Sequence, residues 1–161
     1  MAGGPIYPSS AYPATAGNVF PNFYAGGGGN ASPHDEGLGV AASLGADSTW
    51  ELRFPLPPTI PSGTLKLRLL ALANATSGVA KVTVKDTNVA AGASPSAAAL
   101  TSETQQTLTW GAGDNDKYKE IKVALTPTPN GNDLLVVALV FNTTGWTLAQ
   151  TSTWLASIIW E

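Results

Sequence analysis

The chain has 161 residues, enough for one domain with a sizeable core. Only 12% of the residues are charged, the net charge is −3, cysteine is absent, and His34 is the single histidine. This composition excludes disulfide scaffolds, cysteine-ligated metals, thiol catalysis and multi-histidine metal sites, and it leaves no basic field for nucleic acid.

Residues 1–47 are predicted to form an extended N-terminal arm. No charged side chain occurs between Met1 and His34, and the prolines and the Gly26–Gly29 run in this stretch prevent a helix or a central strand. Apolar and aromatic residues recur along it, which is unlike a disordered tail. The residues expected to anchor the arm are Ile6, Tyr7, Tyr12, Phe20, Phe23 and Tyr24. They dock on a neighbouring subunit or partner, or they fold back over the arm's own domain.

Residues 48–161 alternate apolar and polar side chains, the pattern of strands with one buried face. Strands are predicted at 50–54, 64–72, 80–85, 107–110, 121–125, 133–142 and 151–160, with an eighth at 38–44. Turn-forming Gly, Pro, Asn and Asp separate them, and no window has convincing helical periodicity. The fold class predicted is all-β: an antiparallel β-sandwich of jelly-roll type with about eight strands.

Candidate catalytic and metal-binding groups are few. His34, Asp35 and Glu36 are adjacent on a Gly-rich segment, which cannot hold three metal ligands or a catalytic triad at the required angles. The acids available for paired-carboxylate catalysis are Asp114, Asp116, Glu120 and Asp133. Asp114 and Asp116 lie in a Gly-flanked turn, where such residues hydrogen-bond the backbone. We therefore expect no enzyme activity, no cofactor and no metal site.

The tryptophans allow two interpretations. Trp50, Trp154 and Trp160 are predicted core residues. If Trp110, Tyr118 and Trp146 were exposed on one sheet face, they could stack on sugar rings as a glycan platform. The favoured alternative places Trp110 and Trp146 at strand ends or in a subunit interface.

Membrane insertion and secretion are not expected from this sequence. The longest apolar run, Leu134 to Phe141, has 8 residues, whereas a spanning helix needs about 20. The first residues lack the basic and apolar regions of a secretory signal. Synthesis in a cytoplasm is expected.

Several strand edges resemble those of a known protein family. The segments WELRFP (50–55), SGTLKLRLL (62–70), NDLLVV (132–137) and IIWE (158–161) are similar to jelly-roll structural proteins of tailed bacteriophages. The greatest similarity is to head decoration proteins, also called auxiliary or cement proteins, particularly those of thermophilic long-tailed phages. The resemblance covers roughly Ser48 to Glu161.

This resemblance implies a non-enzymatic homotrimer that binds the major capsid protein on the outer surface of the expanded capsid. It implies that the protein is made in the host cytoplasm, stabilises the virion against internal DNA pressure and extends its arm onto neighbouring molecules. The second face of the 134–141 strand is the expected trimer contact, through Leu134, Val136 and Val140. The alternative hypothesis is a carbohydrate-binding β-sandwich module of a phage fibre or a glycan-active enzyme.

Overall fold

A computed structural model of the chain describes residues 5–13, 39–42, 48–95, 99–115, 117–141, 144–149 and 152–161. These residues form two antiparallel sheets packed face to face. The strands are β1 (Ser10–Pro13), β2 (Gly39–Ala42), β3 (Ser48–Pro55), β4 (Leu65–Leu72), β5 (Gly78–Val89), β6 (Thr101–Ser102), β7 (Gln106–Trp110), β8 (Lys119–Ala124), β9 (Leu134–Phe141) and β10 (Ser152–Trp160).

The strand pairing is that of a jelly roll. Strand β2 pairs with β10, β3 with β9, β4 with β8, and β5 with β7, so eight strands form four nested pairs. One sheet has the order β2-β10-β4-β8, and the other runs β1-β3-β9-β5 with β6 and β7 both beside β5. All these pairings are antiparallel. The predicted jelly-roll sandwich is confirmed, including the eighth strand near residues 38–44.

The core lies between the inward faces of the two sheets. Alternation along each strand turns every second residue inward, as the fully buried Leu67 and Leu69 of β4 illustrate. Phe141 of the six-stranded sheet contacts Trp154 of the four-stranded sheet at 5.2 Å between ring centroids. Trp50, Trp154 and Trp160 are all buried, which confirms their predicted place in the core.

The described part of the N-terminal segment lies along one open side of the sandwich. Strand β1 is the edge strand of the six-stranded sheet and pairs with β3, with Tyr12 opposite Glu51. Just before it, the N–H of Ile6 donates to the carbonyl of Ile158 in β10 at 3.0 Å, and the reverse bond is 2.8 Å. Residues 5–13 therefore fold back on both sheets of their own domain, and β2, at residues 39–42, is part of the four-stranded sheet.

Candidate functional site

The outer face of the four-stranded sheet concentrates charged side chains. Lys66 and Arg68 alternate with the buried leucines of β4, and Glu120 and Lys122 alternate with the inward residues of β8. The β4–β8 register puts Arg68 opposite Lys122 and Leu70 opposite Glu120. Neighbouring strands thus bring charges of both signs together, although the residues are far apart in the chain.

Ion pairs hold these side chains in place. Arg68 Nε donates to Glu120 Oε1 at 2.8 Å, and Lys66 Nζ donates to Glu161 Oε2 at 3.1 Å. Lys122 Nζ donates to the other oxygen of Glu161. Hydrogen bonds from Lys122 and then Lys66 lower the pKa of Glu161, so this carboxylate stays ionised at neutral pH. The network presents positioned donors and acceptors to solvent.

A cleft of about 480 Å³ opens on this face beside the network. Its polar lining includes Arg68, Glu120 and Lys122, and its apolar lining includes Pro5 and Ile159. Because Ile6 is paired with Ile158, the N-terminal segment places Pro5 next to Ile159 as one wall. The candidate site therefore combines four parts of the chain: the arm, β4, β8 and the end of β10.

Two exposed tyrosines belong to the elements that border this cleft. Tyr118, 43% exposed, immediately precedes β8, and Tyr7, 65% exposed, lies two residues after Pro5. With Leu100, they are the large exposed hydrophobic residues among the described positions. Exposed aromatic rings on elements that also supply residues to the cleft suit a ligand that has both apolar faces and hydroxyl groups.

The glycan platform, the less favoured of the two interpretations of the tryptophans, is not formed by Trp110 and Trp146. Trp110 is 2% exposed and Trp146 is 5% exposed, so neither can stack on a sugar ring. Trp146 packs edge-on against Phe141 at 6.2 Å, and its indole N–H donates to the carbonyl of Leu148. Trp110 ends β7, whose alternation directs it inward. Of the three residues, only Tyr118 is exposed.

The residues expected to anchor the arm lie in environments that differ from one another. Ile6 is half-buried against the core, Tyr7 is exposed, and Tyr12 belongs to β1. Phe20, Phe23 and Tyr24 lie outside the described residues.

The expected trimer contact on β9 is partly hidden within one chain. Val136 is only 2% exposed although it lies on the outer side of its sheet, whereas Leu134 and Val140 are half-buried. A partner could therefore touch Leu134 and Val140 but reach little of Val136.

The candidate catalytic acids have structural roles where they are described. Asp114 Oδ2 accepts from Gly111 N at 2.7 Å, as predicted for a turn residue, and also pairs with Lys119. Asp133 accepts hydrogen bonds from Asn88 and from the backbone N–H groups of Asn130 and Ala91. These bonds lower the pKa of Asp133, led by the one from Asn88, so it is not poised to donate a proton at neutral pH.

Asp116 and the cluster of His34, Asp35 and Glu36 lie outside the described residues. Within the described ranges, no group of three or more His, Cys, Asp or Glu side chains could hold a metal ion. No helix among the described residues is long and apolar enough to span a membrane.

No protein-family model matches the chain, and no curated protein sequence matches it. Three solved structures are similar to it at low identity. An arabinose-bound GH51 α-L-arabinofuranosidase has 15% identity and a TM-score of 0.47 over 97% of this chain, which spans 24% of that enzyme. The family 11 carbohydrate-binding module of Clostridium thermocellum, with a β-1,3-1,4-mixed-linked tetrasaccharide, has 12% identity and a TM-score of 0.45, covering 93% of this chain and 86% of that one. The module TmCBM61, with β-1,4-galactotriose, has 14% identity and a TM-score of 0.37, covering 79% and 74%.

Proposed function

We propose that the chain is a non-catalytic β-sandwich module that binds carbohydrate on the outer face of its four-stranded sheet. The observation that carries this proposal is the open cleft in which Arg68 and Glu120 form a positioned ion pair beside apolar walls. Tyr118 and Tyr7 add exposed aromatic surface on two elements that border the cleft.

The chemistry of this face fits a sugar better than a uniformly charged or uniformly apolar ligand. Sugar rings have C–H faces that pack against aromatic rings, and their hydroxyls both donate and accept hydrogen bonds. The guanidinium of Arg68 supplies donors and the carboxylate of Glu120 supplies acceptors. Because each charge is already paired, a neutral polyol can bind without leaving an ion uncompensated.

Titration calorimetry with soluble polysaccharides tests this proposal on the full chain. We use mixed-linked β-1,3-1,4-glucan and β-1,4-galactan as probes, because the similar carbohydrate-binding modules were solved with fragments of these linkages. Alanine at Tyr118 is expected to weaken binding by about tenfold, since a stacked aromatic ring contributes roughly 1 kcal/mol or more. Leu100→Ala is the matched control, because Leu100 is similarly exposed but precedes β6 of the other sheet. Equal loss of affinity in both variants, or no binding to any glycan in a broad array, would refute the proposal.

A second candidate function is the capsid-binding homotrimer of a phage virion. The specific observation that favours it is the uncharged N-terminal segment, whose described part carries the exposed Tyr7 along the edge of the sandwich. An aromatic side chain in that position offers a large contact area to a neighbouring subunit at low entropic cost. Leu134 and Val140 would contribute the half-buried part of a trimer contact on β9.

Light scattering coupled to size exclusion separates the two functions. A mass of three times 16.5 kDa favours the virion protein, and a monomer that binds glycan favours the module. The full chain is needed, because a chain starting at Asp47 would lack both β1 and β2. A triple alanine variant at Phe20, Phe23 and Tyr24 that bound expanded capsids as tightly as the parent would exclude these residues as capsid anchors.

A further inference from the structure

The loop between β8 and β9 contains a reactive dipeptide that has no part in the proposed function. Asn130 and Gly131 form the one Asn-Gly pair in the sequence. The side-chain amide of an asparagine is open to attack by the backbone nitrogen of the next residue, and glycine, which has no Cβ, hinders that attack least. Whether the folded chain allows the reaction depends on the exposure and hydrogen bonding of these two residues.

The backbone of this turn is held on both sides of Gly131. The N–H of Asn130 donates to Asp133 Oδ2 at 2.8 Å, and the N–H of Asp133 donates to the carbonyl of Asn130 at 3.3 Å. The N–H of Asn132 donates to the carbonyl of Pro57 at 3.2 Å, and the φ of Asn132 is +65°, in the left-handed region that tight turns use. The turn therefore has a fixed backbone.

Gly131 carries the free backbone N–H of the turn. It donates no hydrogen bond among the described residues, whereas the N–H groups of Asn130, Asn132 and Asp133 all do. Asn130 is exposed, so water reaches its side chain. That side chain hydrogen-bonds to Asp133, three residues further along, which directs the carboxamide towards the residues that follow it. A free nucleophile and the carboxamide it would attack are therefore on adjacent residues of an exposed, fixed turn.

Asp133 joins this turn to two other segments at the same end of the sandwich. Its carboxylate accepts from Asn88 Nδ2 in β5 at 2.7 Å and from the N–H of Ala91 beyond β5 at 3.2 Å. Its backbone carbonyl accepts from the N–H of Leu56, the residue after β3, at 2.9 Å. With the bond from Asn130, Asp133 connects the ends of β3 and β5 to the start of β9. A change beside Asp133 therefore reaches three segments.

We propose that Asn130 and Gly131 form a self-modification site, at which deamidation of Asn130 weakens the end of the sandwich that Asp133 holds together. The Gly131 nitrogen attacks Cγ of Asn130, so the N–Cγ bond forms and the Cγ–Nδ2 bond breaks. The Gly131 N–H proton leaves with the side-chain NH2 group as ammonia, and a five-membered succinimide ring remains. Water then opens one of the two C–N bonds of the ring, which gives aspartate or isoaspartate. Water is the only co-reactant, because the reacting groups are held in one chain.

Both products fit this turn less well than asparagine. Aspartate would replace a side-chain donor by a second negative charge beside Asp133, whose pKa is lowered by hydrogen bonds, chiefly from Asn88, so that it is ionised at neutral pH. Isoaspartate would lengthen the backbone by one carbon next to Gly131. The chain is tightly packed there, since a Cβ added to Gly131 would lie 1.8 Å from the carbonyl oxygen of Pro58. Either product should therefore lower the Tm.

Timed incubation of the full chain tests the reaction. The protein and a synthetic peptide TPTPNGNDLL, residues 126–135, are kept at pH 7.5. Deamidation adds about 1 Da and is followed and located by mass spectrometry. Asn130 of the protein should react at a rate within about tenfold of the peptide rate, whereas a reacting group misplaced by about 1 Å would slow it by about a hundredfold. A rate more than about tenfold below that of the peptide would overturn the proposal.

Variants test the position and the consequence of the reaction. Asn130→Gln should keep its mass, because glutamine forms the larger ring slowly, and a mass gain retained in this variant would overturn the proposal. Asn130→Asp reproduces one product and should lower the Tm by about 2–4 °C. Gln105→Glu is the matched control, since it makes the same amide-to-acid change at an exposed residue whose amide donates to Thr83, and it should leave the Tm nearly unchanged. If fully modified protein and Asn130→Asp both unfolded at the parent Tm, the proposed weakening would be wrong.

Discussion

The two sheets are alike on their inner faces and different on their outer faces. On the six-stranded sheet, Val136 and Ala138 occupy the outer side of the central strand β9, yet both are buried. In the register, Arg53 of β3 and Thr87 of β5 flank Val136. On the four-stranded sheet, the corresponding places carry Lys66 and Arg68, which remain about one-third exposed.

This difference shows why apolar composition alone does not identify an interface. Short apolar side chains in the centre of a sheet are covered by the longer side chains of neighbouring strands. Their burial therefore stabilises the single chain and does not require a partner. Charged side chains in the same position keep their polar ends in solvent. At the centre of its outer face, the four-stranded sheet therefore offers a ligand charged groups, whereas the six-stranded sheet offers them only beside β9, where Arg53 is as exposed as Arg68.

The largest expected effect follows from placing a charge at Val136. In Val136→Asp a carboxylate would occupy a site with 2% exposure, and the cation beside it, Arg53, already pairs with Glu51, so we expect the change to cost about 5 kcal/mol or to prevent folding. Urea unfolding followed by circular dichroism measures the change. Thr109→Asp on the exposed side of β7 is the control and should cost less than about 1 kcal/mol. Similar stability of the two variants would mean that the outer face of β9 is not packed.

Asp86 and Glu161 have pKa values shifted in opposite directions, so pH should change the stability contributed by each carboxyl group in opposite ways. Burial and the neighbouring Glu103 raise the pKa of Asp86 from 3.8 to about 7, so the folded state holds a proton that the unfolded state releases. Asp86 should therefore lower the free energy of unfolding as pH rises from about 4 to 7, by up to about 4 kcal/mol.

Glu161 acts in the opposite direction, because its pKa is lowered from 4.5 by Lys122 and Lys66. Its contribution is present above pH 4.5 and is lost as the pH falls through its folded-state pKa. Chemical unfolding between pH 3 and 8 measures both effects. In Asp86→Asn the decline between pH 4 and 7 should disappear while the loss of stability in acid remains. A decline of unchanged size in this variant would show that another group causes it.

Much of the fold could be predicted because β-sandwich signals are local. The alternation of apolar and polar residues in β3, β4 and β5 is visible in a few consecutive residues, and turn-forming residues separate the strands. Strands β1 and β6 were missed because they have 4 and 2 residues and exist only through pairing with β3 and β5.

The candidate sites depend on information that is not local. Arg68 and Glu120 are 52 positions apart, so their ion pair follows from the β4–β8 register, which one sequence does not specify. Trp146 lies outside the strands, and its burial depends on Phe141 of another element. Asp86 is the exception: it continues the inward series of Ala80, Val82 and Val84, so its burial could have been predicted from alternation.

The smallest change in stability is expected when one arginine is removed from the outer face of either sheet, and this pair of variants compares the two outer faces directly. Arg68 pairs with Glu120 on the four-stranded sheet, and Arg53 pairs with Glu51 on the six-stranded sheet, with both arginines about one-third exposed. Because such pairs are partly solvated, Arg68→Ala and Arg53→Ala should each change the free energy of unfolding by about 1 kcal/mol or less. Only Arg68→Ala should weaken glycan binding, because Arg68 lines the cleft and Arg53 does not. If the two variants bound glycan with equal affinity in parallel calorimetric titrations, the cleft would not be the binding site. That conclusion would hold even if their unfolding curves agreed as closely as expected.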